Sequence, residues 1–263
     1  MDRPLRYEQA FPAPRDFPGL EPANDAQVAP KGTAQPNLVS LKGNVAAFRD
    51  RLGGIRATAM NFRNMHEHGT LLAQYLETRK AIFIDRLHWQ VSEVDGMEFD
   101  QYDTPACRWV VLHEFGEIYG GVRLLPTTAT CGIYTYMLRD AQRGVLKDMP
   151  TDLLFFEAPV KENVWEASRF FITESVPASR RIAVQHELFF RMVEVAQEGG
   201  ASSILGIVPS VWSRWSRRLG VGAAPVGAKF SIDGTVSQSV LFNIKSHGNS
   251  AMTEAHVQAE DIA

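Results

Sequence analysis

The middle of the chain changes from a helical to a strand-like spacing of apolar residues. Between residues 60 and 85, apolar side chains recur three and four positions apart, which predicts an amphipathic helix. Two strand-like runs follow at residues 108–113 and 117–125, and the residues between them indicate a hairpin. Residues 164–172 form a third strand-like run.

The C-terminal half continues the alternation of helix and strand. Ser179 is a candidate cap for a helix that runs to Gln197, and a buried strand is predicted over residues 203–208. Pro209 begins a further predicted helix, and a hairpin around residues 233–234 closes the pattern. This order of elements predicts an α+β fold built on one mixed sheet.

The two ends of the chain lack these patterns. Residues 1 to about 36 are rich in proline, alanine and charge, and they cannot bury enough apolar surface to order themselves. Residues 37–50 have a weak helical stripe, and the last residues are small and polar. We therefore predict a partly disordered or helical N-terminal extension (1–60), a folded domain (61–250) and a flexible tail (251–263).

Composition narrows the class of protein. The chain is 45% hydrophobic and 22% charged, which is typical of a globular protein, and its net charge of −3 gives no reason to expect a nucleic acid partner. No apolar run is long enough to span a bilayer, so no stable membrane insertion is predicted. The N-terminus lacks the pattern of a secretory signal, and the two cysteines are expected to be reduced thiols of a cytoplasmic protein.

One arginine lies on the apolar side of the first predicted helix. Arg79 shares a stripe with Leu72 and Phe83, where a guanidinium is costly to bury without an anionic partner. His66 and His68 precede this stripe, but their spacing directs them to different faces of a helix. They therefore predict no metal site.

An acidic, glycine-containing run follows this helix. Its members repel one another unless they are solvated or face cations, and for a charge run alone the solvated surface is the usual outcome. Two of its aspartates also suit the simpler role of capping a turn. The buried arginine, Trp89 and the charged residues further along favour a set that faces cations. The acidic residues are Glu93, Asp95, Glu98, Asp100 and Asp103.

Further charged residues lie on the predicted strands. Arg123 is near the end of the second strand, and Glu166 and Arg169 are on the third. Strict alternation places Glu166 and Arg169 on opposite faces of the sheet, unless a β-bulge lies between them. Structural alternatives remain: Arg169 with a carboxylate suits a buried ion pair, and Phe83 and Trp89 suit a core.

The order of elements is similar to that of the GCN5-related N-acetyltransferases, which have a mixed twisted sheet flanked by helices. In that fold two adjacent strands separate, and backbone amides with a helix N-terminus receive a pantetheine or pyrophosphate group. Residues 179–183 fall where a glycine-rich pyrophosphate loop is usual, but they contain no glycine. This departure from the fold argues against the standard contact with acetyl-CoA, and Arg180 and Arg181 would suit a phosphopantetheine carrier or a CoA that is held differently.

Four separated clusters, in this order, resemble the signature of the acyl-homoserine-lactone synthases, the LuxI-type autoinducer synthases. The resemblance covers about residues 65 to 245. It departs from the family in residues 129–142, near the expected acyl pocket, where the segment looks lengthened and the usual phenylalanine is absent or displaced. The clusters are Arg79-xxx-Phe83-xxxxx-Trp89, Glu98-x-Asp100-xx-Asp103, Arg123-Leu-Leu-Pro-Thr and Trp165-Glu166-xx-Arg169-Phe170.

The resemblance implies a reaction with two substrates and no cofactor or metal. S-adenosylmethionine supplies an α-amine that attacks the thioester of an acyl carrier protein or acyl-CoA. The methionyl carboxylate then closes the lactone and expels methylthioadenosine. Glu166 is the expected base, acting with Asp100 and Arg169. The residues expected to bind S-adenosylmethionine are Arg79, Phe83, Trp89, Glu98, Asp103 and Arg123.

Two other functions remain open at this stage. One is a general N-acyltransferase that uses acyl-CoA and a different amine. The other is a non-catalytic member that binds a ligand and signals through partners. The sequence also leaves the acyl chain and the choice between carrier protein and CoA undetermined.

Overall fold

The computed structural model describes residues 52–209, 223–232 and 234–244. Strand β1 (Arg56–Met60) is followed by a short 3₁₀ helix (Met65–His68) and helix α1 (Leu71–Lys80), which continues as a π-helical turn (Ala81–Arg86). Helices α2 (Met137–Gln142) and α3 (Ala178–Glu198) lie further along. The other strands are β2 (Glu93–Val94), β3 (Met97–Glu98), β4 (Arg108–Glu114), β5 (Glu117–Pro126), β6 (Val164–Ile172), β7 (Ser203–Pro209), β8 (Ala223–Ile232) and β9 (Thr235–Asn243).

Within these described ranges, seven strands form one mixed sheet in the order β1-β4-β5-β6-β7-β9-β8, and β2 pairs with β3. The sheet is antiparallel except where β6 meets β7. Pairing of β6 with β7 begins at Val164 with Ser203 and ends at Ala167 with Gly206. The C-terminal halves of these two parallel strands therefore separate and leave a cleft in the sheet.

A β-bulge interrupts β6 beside this cleft. Ser168 pairs with Arg123 of β5 and Phe171 pairs with Gly121, so two residues of β6 lie opposite one residue of β5. The first of the two is Arg169, whose φ of 55° lies in the left-handed region that costs about 1–3 kcal/mol for a residue other than glycine. The bulge changes the side-chain alternation along β6, which is the exception to strict alternation that the sequence pattern left open.

Hydrophobic clusters cover both faces of the sheet. On one face, α1, α2 and the segment after α2 pack against the strands through residues such as Tyr75, Leu138 and Leu205. On the other face, α3 buries the stripe that includes Val184 and Leu188. The apolar side of α3 thus packs on one face of the sheet, whereas the charged residues Arg123 and Glu166 lie on the other face.

The predicted α+β fold, a mixed sheet flanked by helices, is confirmed. Strand β6 has the predicted bounds, β4, β5 and β7 end one residue later than predicted, and α3 is one residue longer than predicted at each end. Ser179 is not its cap, because the helix begins at Ala178 and Pro177 is the N-cap residue. The predicted extension ends too late, because Arg56–Met60 is a strand of the sheet and pairs along its whole length with β4. Pro209, where a further helix was predicted to begin, is the last residue of β7, and the rest of that predicted helix lies outside the described residues. The earlier part of the extension and the C-terminal tail also lie outside them. In the described parts of the chain, no helix is long and apolar enough to cross a membrane.

Candidate active site

Arg79 is buried where α1 approaches the acidic run. Its Nη1 and Nη2 donate to the two carboxylate oxygens of Asp103 at 2.8 and 3.0 Å, and its Nε donates to Glu98 at 2.5 Å. Neither the Arg79 side chain nor its two partners reach solvent. The costly position of this arginine on an apolar stripe is therefore explained by two carboxylates of the same chain.

Arg123 of β5 is a second buried arginine that pairs with the acidic run. It donates to Asp100 at 2.5 and 3.1 Å and to Asp103 at 2.9 Å, and its Nε donates to the Ser168 hydroxyl at 3.1 Å. The planar guanidinium thus spans two aspartates of the acidic run and one residue of β6. These bonds fix the acidic run against the centre of the sheet.

Arg169 completes the set from the bulge of β6. Its Nη2 lies 3.0 Å from Glu98 and 3.0 Å from Asp100. Three arginines and three carboxylates therefore form one electroneutral, interconnected group, which we call the arginine–carboxylate network. Its members are Arg79, Arg123, Arg169, Glu98, Asp100 and Asp103.

The network holds its aspartates in the ionised form. Burial alone would raise the pKa of Asp103, but the guanidinium groups of Arg123 and Arg79 outweigh it and hold that pKa well below its usual range. The pKa of Asp100 is also lowered, because Arg123 and Arg169 outweigh the effect of burial. Three members of the acidic run, Glu98, Asp100 and Asp103, are thus buried and paired with cations, whereas Glu93 and Asp95 are exposed to solvent.

An aromatic pair borders the network where it comes closest to solvent. The rings of Phe83 and Trp89 lie 4.9 Å apart, and the Arg169 guanidinium is 5.4 Å from the first ring and 5.8 Å from the second. Phe83 is buried, whereas Trp89 is half-buried. Trp89 therefore presents an aromatic surface beside the least buried arginine of the network.

Glu166 lies on the same face of the sheet as Arg123 but is held differently. Its carboxylate, 1% exposed, accepts hydrogen bonds from the backbone N–H groups of Met137 at 3.1 Å and Leu138 at 2.8 Å, at the start of α2. Burial raises the pKa of Glu166 to about 7, although these two amides and Arg123 act to lower it. This carboxyl group is therefore poised to exchange a proton near neutral pH.

A second buried carboxyl group beside Glu166 was not predicted from the sequence. Asp140 of α2 accepts hydrogen bonds from the Tyr102 hydroxyl at 3.1 Å and from the Thr135 hydroxyl at 2.6 Å. No spacing in the sequence indicated it, because its partners come from residues 5 and 38 positions away. The same holds for Ser168, whose contact with Arg123 depends on strand register.

Arg180 and Arg181 lie in the first turn of α3. Arg180 approaches Glu114 at 3.6 Å and also donates to the Leu52 carbonyl, and Arg181 donates to the Thr173 carbonyl at 3.1 Å. The role assigned to these two arginines in binding the acyl donor stays a prediction. Within the described residues, no group of three or more His, Cys, Asp or Glu side chains is arranged to hold a metal ion.

Comparison with known proteins identifies the family. Residues 63–251 match the autoinducer synthase family model. The chain belongs to the autoinducer synthase family. An acyl-homoserine-lactone synthase of Pseudomonas aeruginosa is 29% identical over 175 residues, which cover 65% of this chain and 79% of that relative. One of Ralstonia solanacearum is 34% identical over 169 residues, which cover 62% of this chain and 76% of the relative.

Solved structures of similar proteins have the same fold. TofI, in a ternary complex with an inhibitor and MTA, aligns with a TM-score of 0.58 and 30% identity, covering 72% of this chain and 92% of TofI. The acyl-homoserine-lactone synthase LasI aligns with a TM-score of 0.59 at 20% identity, covering 73% of this chain and 90% of LasI. The similarity to the LuxI-type synthases expected from the four sequence clusters is therefore confirmed, as is the acetyltransferase-like sheet.

Proposed function

We propose that this autoinducer synthase makes an N-acyl-L-homoserine lactone from S-adenosylmethionine and an acyl thioester. The α-amine attacks the thioester carbonyl and expels the thiol, and the methionyl carboxylate then displaces methylthioadenosine to close the lactone. The observation that carries the proposal is a buried Glu166 with a pKa near 7, on the face that also carries the network. The family relationship and the MTA bound to TofI support the same reaction.

Glu166 is assigned the role of accepting the proton that the amine must lose. An amine attacks only as its free base, so a proton acceptor is needed beside it, in contact or through a water molecule. At pH 7 about half of the Glu166 groups are ionised and able to accept that proton. Asp100 and Asp103 suit this role less well, because neighbouring arginines hold their pKa values below the usual range.

Recognition of S-adenosylmethionine is assigned to the exposed edge of the network. Arg169 and Asp100 each keep 7% of their side-chain surface exposed, whereas Arg79, Arg123, Glu98 and Asp103 keep none. Arg169 then suits the substrate carboxylate, and Asp100 suits the cationic groups. Trp89 and Phe83 offer aromatic faces for the sulfonium or the adenine. The fully buried members act by holding this edge in place.

The acyl thioester is assigned to the cleft where β6 and β7 separate. Backbone groups beyond Ala167 and Gly206 are not used in pairing between those strands, so they are available to a thioester or pantetheine group. Positioning amine and thioester together contributes up to about 7–11 kcal/mol, so one base need not supply most of the catalysis. Arg180 and Arg181 remain the proposed contacts for a phosphopantetheine carrier or CoA.

The test is the dependence of methylthioadenosine release on an acyl thioester. The full chain is incubated with S-adenosylmethionine and either acyl-CoA or acylated carrier protein, and the products are identified by mass spectrometry. We expect equal amounts of methylthioadenosine and acyl-homoserine lactone with at least one donor class. Acyl transfer to other amines without methylthioadenosine release would instead indicate a general N-acyltransferase. Binding without any turnover would indicate a non-catalytic member.

A further inference from the structure

Asp140 on α2 is a buried carboxyl group that the proposed reaction does not use. One of its oxygens accepts hydrogen bonds from the Tyr102 hydroxyl at 3.1 Å and the Thr135 backbone N–H at 2.8 Å. The other accepts from the Thr135 hydroxyl at 2.6 Å and from Arg143 at 3.1 Å. Four donors on a side chain with no exposed surface fix its position. A carboxyl group so completely satisfied holds its own helix in place.

Tyr102 joins this carboxyl group to the arginine–carboxylate network. Its backbone N–H donates to Asp100 at 2.8 Å, and its ring lies 5.5 Å from the guanidinium of Arg123. Its hydroxyl reaches Asp140 on the other side. One residue therefore contacts both the network and α2.

Helix α2 in turn holds Glu166. The backbone N–H groups of Met137 and Leu138 bind the two oxygens of the Glu166 carboxylate. At the other end of α2, the Gln142 side chain donates to the Phe156 carbonyl at 2.8 Å and accepts from the Ala158 N–H at 2.7 Å. The short helix is thus held at both ends by hydrogen bonds, and Asp140 holds it between those ends.

We propose that Tyr102, Thr135 and Asp140 form a positioning unit that holds the first turn of α2 so that its amides stabilise ionised Glu166. The inference rests on the proposed function, in which Glu166 receives the amine proton. These three residues do not touch the reacting atoms and act through the amides of α2. Without the unit, the amide hydrogen bonds lengthen and Glu166 retains its proton to higher pH.

The charged and titratable groups around Glu166 must keep their charges if the effect of the positioning unit on Glu166 ionisation is to be measured alone. Arg123 on β5 favours its ionised form, and Asp100 on the acidic run opposes it. The Tyr102 and Tyr136 hydroxyls also lie within electrostatic range of the Glu166 carboxylate. Replacing a tyrosine by phenylalanine or a threonine by valine alters no formal charge. Thr135→Val removes one hydroxyl donor to Asp140, and Tyr102→Phe removes the other together with the hydrogen bond between the Tyr102 hydroxyl and Gln101. Asp140→Asn changes a charge and is less suitable.

The experiment measures the ionisation of Glu166 directly. The full chain is labelled with ¹³C at glutamate carboxyl groups, and NMR spectra are recorded from pH 5 to pH 9, with Glu166→Gln to assign the signal. We expect a wild-type midpoint near pH 7 and midpoints about 0.5–1 pH unit higher in Tyr102→Phe and Thr135→Val. Tyr119→Phe removes a hydroxyl bonded to Glu117 at 3.0 Å and serves as the matched control, with no change at Glu166.

Kinetics then separate this inference from the proposed function. Acyl transfer at pH 7 should be about two- to fivefold slower in the two variants, with a pH profile displaced by the same amount as the NMR midpoint. An unchanged Glu166 midpoint in both folded variants would overturn the positioning unit. A displaced midpoint without a displaced pH profile would support the unit and contradict the role of Glu166 as the base.

Discussion

Two sets of buried carboxyl groups on one face of the sheet are held in opposite ways. In the arginine–carboxylate network, Asp100 and Asp103 are paired with guanidinium groups, and their pKa values lie below the usual range because those cations outweigh burial. Glu166 is bound by two neutral amides, and burial raises its pKa to about 7. Similar burial therefore produces a permanent charge beside cations and an exchangeable proton beside neutral donors.

The division also explains why one site needs both kinds of carboxyl group. Fixed charges provide a framework that keeps its geometry across the working pH range and presents Arg169 and Asp100 at its edge. A proton acceptor must change its charge during each turnover, so the same cationic partners would make it too weak a base.

The largest effect is expected from removing an arginine of the network. Arg123→Met leaves Asp100 and Asp103 without their shared cation in a buried place, which should lower the free energy of unfolding by about 3–5 kcal/mol. Denaturant unfolding measures this loss. Arg191→Met is the matched control, because Arg191 forms partly exposed pairs on α3 and its loss should cost at most about 1 kcal/mol. Equal, small losses in both variants would show that the network does not stabilise the fold.

A smaller effect is expected from the pH dependence of stability. The folded-state pKa of Asp103 is depressed, so its contribution is fully present above the pKa of about 3.9 in the unfolded chain. That contribution is lost as the pH falls further, towards the folded-state pKa. Between pH 5 and pH 2 the wild type should lose about 1–3 kcal/mol more than Asp103→Asn, as measured by urea unfolding. If the free energy of unfolding fell equally with pH in the two proteins, Asp103 would not be stabilised in its ionised form by the network.

The same change from carboxylate to amide should have the opposite sign at Glu166. Its folded-state pKa is raised because a charge at this buried position is costly. Stability therefore falls as the pH rises from about 4.5 to 7. Glu166→Gln should therefore be more stable than the wild type at pH 8, by about 1–3 kcal/mol, and nearly equal to it at pH 4.5. Thermal unfolding at both pH values provides the measurement. A variant that is destabilised equally at both would indicate that the amides of α2 require the carboxylate.

The sequence predicted the members of both sets but not their partners. Arg79 on an apolar stripe needed an anionic partner, and the acidic run was expected either to be solvated or to face cations, yet residue spacing alone did not show that the two sets satisfy each other. The substrate was therefore the expected partner for residues that pair within the chain. Only the edge residues, Arg169 and Asp100, keep exposed surface for that purpose.

Local patterns predicted strands better than they predicted long-range contacts. Alternation gave β6 its correct bounds but left open whether a bulge interrupts it near Arg169, which the strand register shows. The strand Arg56–Met60 was missed because it follows a segment of low apolar content, and its evidence is its pairing with β4. The contact between Asp140 and Tyr102 joins residues 38 positions apart, so no local pattern could indicate it.

The measurement that tests the central claim most directly is the pH dependence of single-turnover acyl transfer in the wild type and Glu166→Gln, with S-adenosylmethionine saturating. We predict that the wild-type rate rises as the pH increases through about 7 and then levels off. Glu166→Gln should bind S-adenosylmethionine normally, react about 10²–10⁴-fold more slowly and lose this rise. A variant with a near-normal rate and the same rise around pH 7 would contradict the assignment of Glu166 as the proton acceptor.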